Sequence, residues 1–346
     1  MDVNDWLLDA DPAIRWQVLR DVVGAPDEQV AAERARIETE GWGARLLAMR
    51  DPDGQWDGGA CFPRRIADDW RAGIEPDFSN GQPWTSTLST LMLLHDLGLD
   101  PESPAARETI QLVAANCRWE HDGQAFFDGE VEACINGRTL SIGAYFGADV
   151  DGLATGLLAD QLEDGGWNCY TEQGATVSSF DSTICVLEGL LEYELSRGTV
   201  AVAEARRRGE EYLLERHLFR RKSTGEVPAA RWLQFSWPPR WHYDVLRALD
   251  HFRRTGEAPD SRVAEAVQIV RDKRLPDGTW RLENTHPGET QFEFEDGDGH
   301  PSRWNTLRAL RILDWYDHPG SCVRRRNDEG GLTTDSEDAP GCKTGA

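Results

Sequence analysis

The sequence predicts an all-α single domain of about five to six helix pairs, stacked or closed into a ring. Three observations carry this. The tetrapeptide Asp53-Gly54-Gln55-Trp56 recurs as Asp164-Gly165-Gly166-Trp167 and as Asp277-Gly278-Thr279-Trp280. A weaker copy, Asp122-Gly123-Gln124-Ala125, has Phe126 one place late, and Thr224-Gly225-Glu226 keeps only the glycine. The starts lie 69, 42, 60 and 53 residues apart; a unit of that length is one supersecondary repeat, and such units stack or close on themselves. Second, each unit contains an apolar helix with a common opening. Third, strand signals are scarce, and Gly, Pro and Asp separate the helical stretches.

The first fifty residues read as helices packed on the ring. Trp6-Leu7-Leu8 precedes Asp11-Pro12, where Asp can cap and Pro can open a helix. Ile14, Trp16, Val18 and Leu19 follow at partly helical spacing, and Val30 to Met49 continues as helix. The inner helices then open in order. Trp84-Thr85-Ser86-Thr87-Leu88 leads into Leu91, Leu93 and Leu94. Asp149-Val150-Asp151-Gly152-Leu153 leads into Leu157 and Leu158. Phe180-Asp181-Ser182-Thr183-Ile184, Trp241-His242-Tyr243-Asp244-Val245 and Arg303-Trp304-Asn305-Thr306-Leu307 complete the set. Each is an aromatic or polar residue, one or two capping residues, then an apolar stripe. Their first turns, with free N–H groups and partial positive charge, are expected to converge at one mouth. The ring domain spans 1–320. The stretch 321–346, rich in Gly, Ser, Thr and acidic residues, is expected to be a disordered tail.

Composition narrows the function classes. The chain has 346 residues, 39% of them hydrophobic, with 14 Trp, enough for one large core. A net charge of −24 disfavours nucleic acid and anionic membrane surfaces, which both need basic stripes. Met1-Asp2-Val3-Asn4-Asp5 begins acidic, no membrane-length apolar run follows, and a cytoplasmic location is expected. The seven cysteines lack CxxC spacing and read as thiols.

At this point the residues carry a family likeness. Gln161-Leu162-Glu163-Asp164-Gly165-Gly166-Trp167 resembles the glutamine–tryptophan repeat of squalene and hopene cyclases. A looser form runs through the protein prenyltransferase beta subunits. The likeness covers about residues 40–318 and implies a single α/α toroid with a central cavity. It also implies an enzyme acting on an apolar isoprenoid small molecule by acid-initiated cyclisation or isomerisation. The alternatives are a zinc-dependent transferase or hydrolase, and a non-catalytic binding toroid. One toroid hosts all three.

Four constellations could carry chemistry. Asp149-Val150-Asp151-Gly152-Leu153-Ala154 resembles the Asp-Val-Asp-Asp-Thr-Ala segment of squalene–hopene cyclases. On that match Asp151 is the acid and Asp149 its partner, although Gly152 replaces the last aspartate. Alkene protonation needs a neutral, strong carboxylic acid in a dry pocket; the alternative role for either Asp is a helix cap. Asp181, Cys185 and His242 are a three-ligand zinc set whose order resembles the prenyltransferase beta subunits, with Asp and Cys four apart rather than two. Separately, Asp181 can cap its helix and Cys185 can sit in the core.

Cys134 beside Asn136-Gly137 reads as a turn thiol, activated by Arg138 and served by His242 as base. Arg138 alternatively clamps a carboxylate or diphosphate. The acidic run Glu293 to His300 would hold Mg²⁺ with a diphosphate, or is a flexible loop. Trp84, Phe180, Trp237, Trp241 and Trp304 would line a substrate site, where their π faces stabilise cationic intermediates. They serve equally as core. Trp56, Trp167 and Trp280 read as staples between repeats.

Overall fold

A computed structural model describes residues 2–319 of the chain. The expected 321–346 tail lies outside the described residues. In chain order the helices are α1 (Val3–Leu8), α2 (Pro12–Val18, running on into a π turn at Leu19–Val23), α3 (Asp27–Ala35), α4 (Gly41–Ala48) and α5 (Arg64–Arg71). They continue with α6 (Thr87–Leu97), α7 (Pro104–Asn116), α8 (Ala133–Phe146), α9 (Asp151–Ala159) and α10 (Phe180–Arg197). The last four are α11 (Val200–Leu214), α12 (Val245–Arg254), α13 (Ala264–Asp272) and α14 (Arg303–Asp317). Among the described residues strand is confined to the antiparallel pair β1 (Trp280–Arg281) and β2 (Pro301–Ser302).

The inner ring is α2, α6, α8, α10, α12 and α14. Neighbours in that series touch, with α4 helping to join α2 to α6, and α14 packs back against α2. The chain is therefore an (α/α) toroid. Helices α4, α7, α9, α11 and α13 form the outer layer, each followed by a connection, which after α4 includes α5, and the next inner helix. The five loops coincide with the five tetrapeptide slots. The N-terminal segment differs from its expected place on the outside, because α2 is one of the six inner helices.

The tryptophan loops repeat atom for atom. Trp56, Trp167 and Trp280 each donate their indole N–H to the carbonyl ten residues earlier, on Leu46, Leu157 and Val270, at 2.7–2.8 Å. Each donates its backbone N–H to a threonine on the following inner helix: Thr87, Thr183 and Thr306. One tryptophan thus joins an outer helix, a loop and an inner helix, and all three rings are fully buried. The preceding Gly54, Gly165 and Gly278 hold φ of +94°, +97° and +88°, which only glycine adopts without strain. In the weaker second slot, Trp119 stacks on Phe126 and donates to its carbonyl.

Two expectations fall at this level. Cys134-Ile135-Asn136-Gly137-Arg138 is helix, inside α8, and no turn. A Cβ on Gly137 would lie 2.5 Å from the Cys185 carbonyl, and one on Gly189 would lie 2.2 Å from the Gly137 carbonyl. These glycines let α8 and α10 approach backbone to backbone; Asn-Gly is here a packing device. Asp149-Val150-Asp151 likewise opens α9, an outer helix, so it does not join the inner openings.

Candidate functional site: an arginine-lined central cavity

The ring encloses a cavity of about 740 Å³. It runs from Trp237, Pro238 and Trp304, near the inner-helix N-termini, to Asp96, Leu195, Gly256 and Asp314 at the opposite ends. Trp237 and Trp304 are buried whereas Leu195 is exposed, which puts the open end at the C-terminal ends of the inner helices, the reverse of expectation. The segment that carries Trp237 to Arg240 lines the other end. That loop holds Arg240 at φ +57°.

The wall is ionic. Nine arginines and six carboxylates line it, in a chain whose net charge is −24. Three pairs tie adjacent inner helices together, and others are local. Arg247 on α12 grips Glu188 on α10 with two hydrogen bonds of 2.8 and 2.6 Å. Further along, one turn on in α10 and two turns on in α12, Arg254 pairs with Glu192. Arg253 holds Asp250 within α12 at 2.8 Å. Arg311 on α14 meets Asp21 beyond α2 and donates to Gln17 at 2.8 Å.

Burial opposes ionisation of Glu192, but His95 and Arg254 outweigh it and hold its carboxyl at about 2. Asp250 is held at about 2 against the same penalty by Arg253, Arg308 and Arg311. Glu188 is lowered by Arg247 and Asp21 by Arg311, again against burial. His95 is buried, which lowers its pKa, yet Asp96 and Glu192 raise it to about 9. It is an imidazolium at neutral pH.

Three buried arginines fall outside this pairing. Arg138 on α8, Arg240 and Arg308 on α14 line the deep part of the cavity, and no carboxylate lies within ion-pair distance of any of them among the described residues. Arg308 donates to the Ser236 carbonyl at 3.1 Å. The Nε of Arg138 has no hydrogen-bond partner. Arg240 lies over the Trp84 ring, 5.3 Å from its centroid. Burial, then the charge of Arg138, pushes Arg240 down to about 9, only partly offset by Asp96. Beside this trio Trp237 and Trp304 stack at 4.5 Å and 7°, and Trp42 and Phe294 pack behind them.

The residues singled out from the sequence scatter around this cavity. Arg138, Trp237 and Trp304 line it together. Trp84 is core, its indole N–H on the Pro287 carbonyl. Phe180 is core against Trp232, Tyr243 and Tyr212. Trp241 stacks on His242 and donates to Gln82.

Asp151 is not a cavity acid. Its side chain is 66% exposed on the outer layer, bonded to Tyr193 and Arg197, which lower its pKa. A neutral, dry acid is the opposite of this. Asp149 accepts the Asp151 backbone N–H as part of the α9 start.

The Asp181, Cys185 and His242 set does not converge on one point. Asp181 accepts the Tyr243 N–H at 2.7 Å and faces Arg231. The Cys185 thiol meets the Trp241 carbonyl and Arg247, and burial raises it to about 11. His242 stacks between Trp241 and His286, and burial, then His286, drops it to about 3. Cys134 is no activated turn thiol either: a hydrogen bond involving Cys169 and burial raise its pKa well above the ordinary value. The acidic run 293–300 is spent locally. Glu295 accepts the Trp304 N–H and Asp298 accepts from Thr285 twice, so neither is set aside for Mg²⁺.

Sequence reading missed Arg240, Arg308 and the paired girdle. A signal existed. Trp304, Arg308 and Arg311 are spaced four and three apart, as are Glu188, Glu192 and Leu195. Charged residues thus share the stripe that faces inward.

No family model matches the chain, and no curated protein matches it. Solved structures similar to it include terpene cyclases. An ent-copalyl diphosphate synthase from Streptomyces platensis is 14% identical with a TM-score of 0.36, covering 86% of this chain and 48% of that one. The chain thus spans about half the length of that synthase. A variant of the type II terpene cyclase MstE from Scytonema, in complex with geranylgeranyl dihydroxybenzoate, is 13% identical with a TM-score of 0.40, covering 87% and 85%. A further MstE variant without ligand is 14% identical with a TM-score of 0.35, covering 82% and 95%. Among the described residues no helix is long and apolar enough to cross a membrane.

Proposed function

We propose that the toroid takes a small molecule with a phosphate- or diphosphate-type head group. The head is seated on Arg138, Arg240 and Arg308, and the apolar part lies against the Trp237–Trp304 stack. The observation that carries this is the trio itself: three buried guanidinium groups with no carboxylate partner, in a wall where the other charges are mostly paired. An isolated buried charge is costly, and an anion that brings its own negative charge removes that cost. Guanidinium forks match phosphate oxygens two at a time. The same donors would stabilise negative charge that builds on a departing or transferred phosphoryl oxygen.

A prenyl diphosphate is the isoprenoid that meets both halves of this description. The tryptophan faces would support a cationic carbon next to the head group. Acid-initiated chemistry at Asp151 finds no support, because that carboxylate is outside the ring and ionised. Four of the wall carboxylates, Asp21, Glu188, Glu192 and Asp250, are held ionised by arginine or histidine.

Calorimetric titration tests the reading with pyrophosphate, inorganic phosphate and geranylgeranyl diphosphate, each against wild type and Arg138→Gln. Saturable binding of pyrophosphate that Arg138→Gln weakens at least tenfold is the expected result. Tighter binding of the prenyl form than of pyrophosphate assigns the tail to the tryptophans. Absence of binding by all three, or equal binding by the variant, overturns the proposal.

A further inference from the structure

One cluster lies apart from the cavity and plays no part in the proposed function. Glu132 immediately precedes α8 without a side-chain capping bond, and Cys134 is the second residue of that helix. Cys169 sits two residues after the Trp167 staple, in the loop that leads to α10. One ligand atom from each lies within 4.8 Å of the other two, and among the described residues no other group of three His, Cys, Asp or Glu side chains converges this closely. We infer that Glu132, Cys134 and Cys169 form a binding site for a thiolate-preferring divalent cation, zinc above all.

The donor set points to zinc. Two sulfurs with one carboxylate oxygen are borderline-soft, unlike the all-oxygen sets of Mg²⁺ or Ca²⁺. Zinc bonds of roughly 2.3 Å to sulfur and 2.0–2.2 Å to oxygen on a tetrahedral centre put ligand atoms roughly 3.5–3.8 Å apart. The Cys134 sulfur is 3.5 Å from a Glu132 oxygen.

The Cys169 sulfur is already ringed by donors. Its sulfur accepts the Cys134 backbone N–H at 3.2 Å and the Ser182 hydroxyl at 3.1 Å. Such donors hold a metal-bound sulfur in place and disperse its charge. Ser182 is itself tied down, since its hydroxyl accepts the Cys169 N–H at 3.1 Å. The loop is anchored by the buried Trp167, and Glu132 stands at the partly exposed edge, which leaves an entry path. Three protein ligands leave a fourth position for water or an incoming ligand.

The full chain, purified under reducing conditions and stripped with chelator, is titrated with Co²⁺ and read by absorbance. One Co²⁺ per chain is expected, with a thiolate-to-cobalt charge-transfer band in the near ultraviolet and the visible bands of a tetrahedral site. Zinc should displace it. The charge-transfer band should vanish in Cys169→Ser and survive in Cys117→Ser, whose thiol lies in the core. Glu132→Gln, at the edge where folding is not at stake, should weaken binding at least tenfold while circular dichroism stays unchanged. A missing charge-transfer band in folded wild type overturns the inference, as does a band that survives Cys169→Ser. A Cys134–Cys169 disulfide that forms in air in protein unable to bind cobalt after reduction overturns it too.

Discussion

Replacing Arg240 by Met should make the empty protein more stable and blind to anions. The charge of Arg240 is buried, and burial with the neighbouring charge of Arg138 pushes its pKa down to about 9. A guanidinium ordinarily stays above about 12. At roughly 1.4 kcal/mol per decade, the charged form costs on the order of 5 kcal/mol in the folded state. The sign follows from a cation whose folded-state pKa is depressed: its charged form weighs against folding at every pH below about 9. Methionine removes that cost and loses the placement over Trp84, worth about 1 kcal/mol. A net gain of about 4 kcal/mol should raise the melting temperature by roughly 5–10 °C in phosphate-free buffer. The comparison then repeats at a pyrophosphate concentration about a hundred times its dissociation constant. Wild type should gain about 2.7 kcal/mol from linkage, and Arg240→Met should gain almost nothing. An Arg240→Met protein that melts below wild type without ligand would refute the reasoning, because the charge would then already be compensated.

Four further outcomes are expected. Glu295 is buried with one oxygen unpartnered, and burial raises its pKa to about 7 from 4.5; the native state keeps its proton longer than the unfolded chain. Stability should therefore fall by about 3 kcal/mol between pH 4.5 and 7, and urea titrations at pH 5 and 8 should show Glu295→Gln flattening that fall. His95 is the reverse partner, raised from 6.5 to about 9: its contribution is complete below pH 6.5 and lost by pH 9, and His95→Gln should cost about 3 kcal/mol at pH 6 and far less at pH 9. Trp167→Phe keeps the ring but strands the Leu157 carbonyl, a loss of about 1–3 kcal/mol by chemical denaturation. Asp151→Asn should leave pyrophosphate affinity unchanged; a loss of binding in titration would return that residue to the site.

The fold was legible because its signal is local. Asp-Gly-x-Trp sets a turn, a positive φ at glycine and a tryptophan whose partners lie ten residues back and one helix ahead. The site was legible only in part, because it is assembled from residues on α8, on α14 and in the loop before α12. Trp237, Trp304 and Arg138 were visible as types that bind, but nothing local separates Arg308, left without a carboxylate, from Arg247, gripped by Glu188 59 residues earlier. Two errors had a common root. Asn136-Gly137 reads as a turn, and Asp149-Val150-Asp151 as an inner helix start, until the neighbouring helix is placed. Gly137 is there for α10, and Asp151 answers to Arg197 on α10. Glu132, Cys134 and Cys169 were missed as a group because the loop that brings Cys169 back follows a whole outer helix.

The seam of the ring joins residues almost a chain length apart: Arg311 reaches Gln17, 294 positions away, and Asp21 beside it. During synthesis α2 precedes the other five inner helices and α14 follows them. Until α14 emerges the ring is an open arc, with Gln17 and Asp21 on one lip. Closing the arc is then a late, long-range event, intrinsically slow because loop entropy must be overcome before the seam contributes anything. A chaperone that shields the concave face of that arc would act on the same surface that later becomes the wall of the cavity.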